Sequence, residues 1–76
     1  MQIFIRNDKS LAFEFNPTTT IADVKNTYYQ KTGIPSKYII LSYNGKNLYD
    51  TDPISKYNIT NDTTIYMNIR MPLKKY

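Results

Sequence analysis

The stretch TIADVKNTYYQKTGIP, from Thr20 to Pro35, contains the beginning, the apolar stripe and the end of one helix. Thr20 and Asp23 have the spacing at which side chains reach the free N–H groups of a first helical turn. Gly33 can adopt a left-handed backbone conformation just after the last turn, and Pro35 prevents continuation. The stripe at helical spacing consists of Ile21, Val24 and Tyr28, followed by Lys31. The stretch therefore predicts an amphipathic helix, and we expect the rest of the chain to form a sheet around it.

The composition is that of one small domain. The chain has 76 residues, a net charge of +4, no cysteine and no histidine. The absence of cysteine excludes disulfides, thiolate nucleophiles and Cys-based metal sites, and the absence of histidine removes the side chain whose pKa lies nearest neutrality. The net charge would favour anionic partners, but no block of five or more like charges occurs, so the charge is interpreted as an aid to solubility. We expect a monomer with no cofactor, no metal and no small-molecule ligand.

Alternating apolar residues predict strands on both sides of the helix. The runs at 1–6 and 10–16 flank Asn7-Asp8, which predicts a β-hairpin with a tight turn. The run 38–43 is followed by Asn44-Gly45, a strong turn signal, and Leu48 begins the predicted return strand. Asp52-Pro53 marks a turn or a helix start. A last strand runs from Ile59 through the alternation at 65–69.

This order of elements predicts an α+β fold, a mixed sheet of four to five strands packed on one helix. The long helical connection permits the first strand to pair in parallel with the last. The predicted core consists of Ile3, Ile5, Leu11, Phe13, Phe15, Val24, Tyr28, Leu41, Leu48, Ile54, Ile59, Ile65 and Met67.

Short segments that occur in order along nearly the whole chain resemble the ubiquitin family. They include Met1-Gln2-Ile3-Phe4, Gly33-Ile34-Pro35, Gly45-Lys46-x-Leu48 and Ser55-x-Tyr57-Asn58-Ile59, and the first hairpin is two residues shorter than in the family. The resemblance implies the β-grasp fold, with a ubiquitin-like domain at 1–71 and a flexible tail at 72–76.

The family's conjugation chemistry needs a pliant tail that ends in two glycines. The corresponding residues here are Arg70-Met71-Pro72-Leu73-Lys74, and the only glycines of the chain are Gly33 and Gly45. Proline also stiffens a segment that should be extended and pliant. We therefore expect that this chain is not conjugated by the ubiquitin route.

The resemblance also implies an apolar patch on the sheet, which most ubiquitin-binding domains contact. Its isoleucine, valine and histidine positions carry Ser42, Asn68 and Tyr66. A central apolar anchor can contribute ~2 kcal/mol or more to an interface, so two polar replacements should abolish ordinary receptor binding. Ile40 and Tyr66 are expected to leave a smaller apolar spot, unless this face is simply solvated. The cations expected beside that spot are Arg6, Lys46 and Arg70.

Two further surfaces follow from the resemblance. Ile34, Ile69 and Met71 match a second apolar patch of the family, and Gln2 and Phe4 match a third. Strand alternation directs Phe4 away from the core, so we expect its ring to be exposed and available to an interface. The predicted binding residues are Phe4, Ile34, Ile40, Ser42, Tyr66, Asn68, Ile69, Arg70 and Met71.

Three lysines match family lysines that accept another ubiquitin: Lys25, Lys31 and Lys46. Lys25 is expected to be partly buried where the helix meets the sheet. Lys46 follows the Asn44-Gly45 turn and is expected to be exposed.

An enzyme is the least favoured function, because the carboxylates are scattered over predicted turns and caps rather than gathered in a cleft. The favoured hypothesis is a non-conjugated ubiquitin-like protein that binds ubiquitin-activating, ubiquitin-conjugating or ubiquitin-binding proteins. A second is a ubiquitin-like domain fused to or cut from a larger protein, such as a ribosomal-protein leader. A third, nucleic-acid binding through Tyr38, Tyr43 and Tyr66, is disfavoured because Tyr43 should face the core.

No signal peptide is recognised, and no apolar run approaches the ~20 residues that span a bilayer. The sequence therefore predicts a protein of the cytoplasm, with the nucleus as the alternative, that does not bind membranes.

Overall fold

The computed structural model describes residues 1–70 and contains one α-helix and a five-stranded sheet. The elements are β1 (Gln2–Arg6), β2 (Ser10–Glu14), α1 (Ile21–Thr32), β3 (Ile39–Tyr43), β4 (Lys46–Asn47) and β5 (Thr63–Ile69), with short 3-10 helices at Ser36–Tyr38 and Ile54–Tyr57. The strand order is β2-β1-β5-β3-β4. β1 and β5 are parallel and the other pairs are antiparallel. The predicted α+β, β-grasp architecture is confirmed, and β1 and β5 adopt the parallel pairing that the long connection permits.

The helix begins and ends at the predicted residues. The N–H of Asp23 donates to Oγ1 of Thr20 at 3.3 Å, which is the hydrogen bond of an N-cap. At the other end Gly33 has φ +80° and its N–H donates to the Tyr29 carbonyl oxygen at 2.7 Å. Ile34 then turns back and packs against the core. α1 is twelve residues long, and no helix within residues 1–70 has the length and hydropathy needed to cross a bilayer.

The first hairpin differs from the prediction at its turn. Arg6 pairs with Ser10, so the loop has three residues, Asn7–Lys9, rather than a tight Asn7-Asp8 pair. The N–H of Asn7 donates to the Lys9 carbonyl oxygen at 3.1 Å, which closes this loop. Neither Asn7 nor Asp8 has positive φ. The left-handed conformation that both residue types tolerate is unnecessary in the longer loop.

The second hairpin has the predicted turn. Asn44 and Gly45 both have positive φ, 55° and 78°, the combination that matches the twist of two antiparallel strands. The return strand begins at Lys46, two residues before the predicted Leu48, because Lys46 already pairs with Tyr43. Pro53 directly precedes the second 3-10 helix, as its position after Asp52 suggested.

The core lies between α1 and the sheet. Its buried residues are Ile3, Ile5, Phe13, Phe15, Ile21, Val24, Tyr28, Ile39, Leu41, Leu48, Ile54, Ile59, Ile65 and Met67. Twelve of the thirteen predicted core residues are among them; Leu11 is only partly buried and packs against their edge. Ile21 and Ile39 were missed, although Ile21 belonged to the predicted helical stripe; Ile39 lies on the same face of β3 as buried Leu41. Tyr43 also packs against the core, as predicted.

Candidate protein-binding face

The outer face of the sheet, which points away from α1, carries the central predicted binding residues. Alternation along β5 buries Ile65 and Met67 under the helix and leaves Tyr66 and Asn68 on the opposite side. On β3, the same alternation buries Ile39 and Leu41 and puts Ile40 and Ser42 on the outer face. The prediction from resemblance therefore selects residues that do share one side of the sheet.

Strand register arranges this face around Tyr66. Arg6 lies beside Tyr66 across the parallel pair, and Ser42 lies beside it on the antiparallel side. The row extends to Ser10 next to Arg6 and to Asn47 next to Ser42. Tyr66 is 53% exposed, whereas Ile40 and Ser42 are half-buried. We call Ser10, Arg6, Tyr66, Ser42 and Asn47, one residue from each strand, the Tyr66 row.

The register changes the position expected for Lys46. This residue pairs with Tyr43, which packs against the core, and not with the outer-face position Ser42. Lys46 is therefore exposed at the end of the sheet but outside the Tyr66 row. Arg70 continues the outer face, because its N–H donates to the Tyr38 carbonyl oxygen at 2.6 Å and extends the β3–β5 register.

The prediction that the Phe4 ring is exposed is wrong. Phe4 does point away from the core, but it is half-buried. Its neighbours by register are Ala12 on β2 and Thr64 on β5, and a ring between two strands is shielded by the side chains on either side. Gln2 is half-buried as well.

The second predicted patch is divided in the structure. Ile34 is partly buried and contacts the core, so little of its side chain remains for a partner. Ile69, at the end of β5 opposite Ile39, is 44% exposed. Met71 lies outside the described residues, as do the end of the predicted domain and the predicted flexible tail at 72–76.

The three predicted modification lysines have different environments. Nζ of Lys25 lies 2.7 Å from Oδ1 of Asp50, and the Lys25 side chain is only 13% exposed. This confirms the expected partial burial of Lys25 and leaves its amine poorly accessible. Lys31 in the last helical turn and Lys46 after the second hairpin turn are both exposed.

Charges are unevenly distributed between the sheet and the loops. β1, β3, β4 and β5 contain no aspartate or glutamate. On β2, Oε2 of Glu14 lies 2.9 Å from the N-terminal ammonium of Met1.

In the loop after β4, Asp50 pairs with Lys25, and Asp52 pairs with Lys56 at 3.3 Å. Three carboxylates are thus neutralised locally, while Arg6 and Arg70 form no ion pair within residues 1–70.

A hydrogen-bonded cluster in the loop 49–58 was not predicted. The Tyr57 hydroxyl donates to Oδ2 of Asp52 at 2.6 Å and accepts from the Tyr49 N–H at 3.0 Å. Hydrogen bonding from Tyr57, and secondarily from Lys56, lowers the pKa of Asp52 against the opposing effect of burial. Burial and then the hydrogen bond to Asp52 raise the pKa of Tyr57. The sequence signals only one part of this cluster: Asp52 and Lys56 are four residues apart, the spacing of one helical turn.

Two shallow grooves lie outside this face. One, of about 320 Å³, lies between the β1–β2 loop and α1 and is lined by Asn7, Asp8, Lys9, Leu11, Tyr28 and Thr32. Burial, with a smaller contribution from the charge of Asp8, raises the pKa of Tyr28. The other, of about 270 Å³, is lined by Asn26, Tyr29, Pro35, Ser36 and Lys37. Neither groove gathers an acid and a base in hydrogen-bonding positions. In the described part of the chain, no three potential ligand side chains come together around a metal position.

One helix packed on a five-stranded mixed sheet, with parallel first and last strands, defines a ubiquitin-like domain. A sequence model described as the ubiquitin family matches residues 3–72. The chain belongs to the ubiquitin family. It is also 35% identical over 74 residues to the UV excision repair protein RAD23 homolog of Dictyostelium discoideum. That match covers 95% of this chain but only 22% of the relative. Domains of this class are typically non-enzymatic modules.

Proposed function

We propose that this chain is a non-conjugated ubiquitin-like protein that binds components of the ubiquitin pathway through the outer face of its sheet. The observation that carries this proposal is the Tyr66 row, where an exposed ring lies between Arg6 and Ser42 on an otherwise intact family fold. Tyrosine and arginine are enriched in protein interfaces, where a rigid ring buries area at low entropic cost.

The non-conjugated part of the proposal rests on the residues after β5. Pro72 stands where the family tail is pliant, and the 76 residues contain no two consecutive glycines. Both glycines, at positions 33 and 45, have positive φ in turns. In this proposal the chain acts as a monomer in the cytoplasm or nucleus. It modulates enzymes of the ubiquitin pathway, but those enzymes do not transfer it to other proteins.

A charging assay with ubiquitin-activating enzyme and ATP tests this function. We expect no thioester on this chain, and slower charging of ubiquitin when the chain is added in excess. Tyr66→Ala should relieve that inhibition, whereas Tyr49→Ala, at a loop tyrosine that is 69% exposed, should not. A thioester on this chain would refute the non-conjugated proposal. Unchanged ubiquitin charging at saturating chain would refute competition for this enzyme.

A second candidate is a ubiquitin-like domain within a longer protein. It is favoured by one comparison, because the matched relative is a longer protein of which this chain covers 22%. In that case the outer face recruits partners to the remainder of the protein. Sequencing the transcript on both sides of the Met1–Tyr76 codons distinguishes the candidates: a reading frame that continues past either end supports the domain, and in-frame stop codons on both sides reject it.

A further inference from the structure

We propose that the outer face binds an extended acidic segment of a partner protein, in which two carboxylates four residues apart flank an apolar residue. This inference rests on the proposed function, because it names the chemistry of the partner at the same face. Three observations support it: the charge of the face, the spacing of its two arginines and the nature of the surface between them.

The outer face is a cationic surface without internal compensation. Four of the five strands lack carboxylates, and the single sheet carboxylate, Glu14, is paired with the N-terminal ammonium. Asp8, two residues after Arg6, lines the groove against α1, on the helix side of the sheet. Arg6 and Arg70 are both exposed and unpaired within residues 1–70. A guanidinium pairs with carboxylates through two parallel hydrogen bonds, which favours an acidic partner.

The two arginines have a defined separation. Arg6 lies beside Tyr66, and Arg70 follows Tyr66 by four residues along β5. At ~3.3 Å per residue along a strand and ~4.8 Å between strands, their Cα atoms are about 14 Å apart. In an extended segment, carboxylates four residues apart span about 13 Å on one face. A helical segment, which rises ~1.5 Å per residue, would need about nine residues for the same span.

The surface between the arginines suits a peptide better than a nucleic acid. The residue halfway between the two carboxylates would lie closest to Asn68, and the side chains of Tyr66 and Ile40, each about 7 Å away by register, are within its reach. Half-buried Ile40 provides apolar contact area for an aliphatic side chain. Of the three tyrosines considered for stacking a nucleic acid, Tyr43 packs against the core and Tyr38 is half-buried, which leaves Tyr66 as the exposed ring.

Selection from a phage-displayed library of random 12-residue peptides tests the inference on the intact 76-residue chain. We expect the selected peptides to contain Asp or Glu at i and i+4 with an apolar residue at i+2. Affinity of the synthesised peptides should fall at least tenfold for Arg6→Glu and for Arg70→Glu. Lys31→Glu, the same charge change on the exposed last turn of α1, should leave it unchanged. Replacing the peptide's acidic residues by their amides, Asp by Asn and Glu by Gln, should have the same effect as the arginine reversals.

The outcomes separate this inference from the function on which it rests. Peptides that lose affinity with Tyr66→Ala but not with Arg6→Glu would overturn the acidic partner and leave the binding face intact. Peptides unaffected by Tyr66→Ala would overturn both the inference and the proposed face. Enrichment of no sequence would overturn the inference alone, since the charging assay decides the function independently. A (dT)12 oligonucleotide that binds as tightly as the best peptide would favour nucleic acid instead.

Discussion

At the scale of single residues, the Tyr57 hydroxyl connects two parts of the loop after β4. It donates to the Asp52 carboxylate and accepts from the Tyr49 N–H. Tyr57→Phe removes both bonds and leaves the Tyr49 N–H without its partner, so we expect a lower free energy of unfolding at pH 7. Tyr49→Phe is the matched control, because the structure shows no hydrogen bond from its exposed hydroxyl within residues 1–70. Urea denaturation of the two variants and the parent measures the difference.

The same cluster predicts a pH dependence. Hydrogen bonding from Tyr57 lowers the pKa of folded Asp52 below the ordinary aspartate value. Its contribution to stability is therefore present above the unfolded-state pKa and is lost as the pH falls through the lower folded-state pKa. We expect the loss caused by Tyr57→Phe to be larger at pH 7 than at pH 2. Equal losses at both pH values would contradict a role for the ionised carboxylate.

At the scale of the elements, α1 depends on its two caps. Thr20→Ala deletes the oxygen that accepts from the Asp23 N–H, so we expect a loss of about 1 kcal/mol in the free energy of unfolding. Thr20→Ser keeps that oxygen and should retain most of the stability. A similar loss in both variants, measured by urea denaturation, would show that the methyl group rather than the cap is important.

The C-terminal cap gives a separate prediction. Gly33 has φ +80°, and a Cβ added there would meet no atom within 4 Å. The cost of Gly33→Ala is therefore backbone strain rather than a clash, about 1 kcal/mol. Gly33→Asn should cost less, because asparagine tolerates the left-handed conformation. If Gly33→Asn unfolds at a lower temperature than Gly33→Ala, the strain explanation fails.

At the scale of the whole molecule, β5 joins the two halves of the sheet between β1 and β3. Ile65 on this strand is completely buried, so Ile65→Ala should cost about 3 kcal/mol, a large part of the stability of a small domain. Ile69 on the same strand is 44% exposed, so the identical truncation should cost less than about 1 kcal/mol. Chemical denaturation checks both values, and equal losses would contradict the described burial.

Local signals in the sequence determined the helix, its caps, the Asn44-Gly45 turn and most of the core. Each of these depends on residues a few positions apart, whose spacing and backbone preferences are readable directly. The family resemblance then selected outer-face positions such as Ser42 and Tyr66, whose roles in binding stay predictions.

Only the tertiary structure decided which residues become neighbours across the sheet. It placed Arg6 beside Tyr66, partly covered Phe4 and joined Tyr57 to Asp52. The pairing of β1 with β5 joins strands from opposite ends of the described chain, and the shielding of Phe4 depends on both neighbouring strands, so residue spacing within one segment does not specify either.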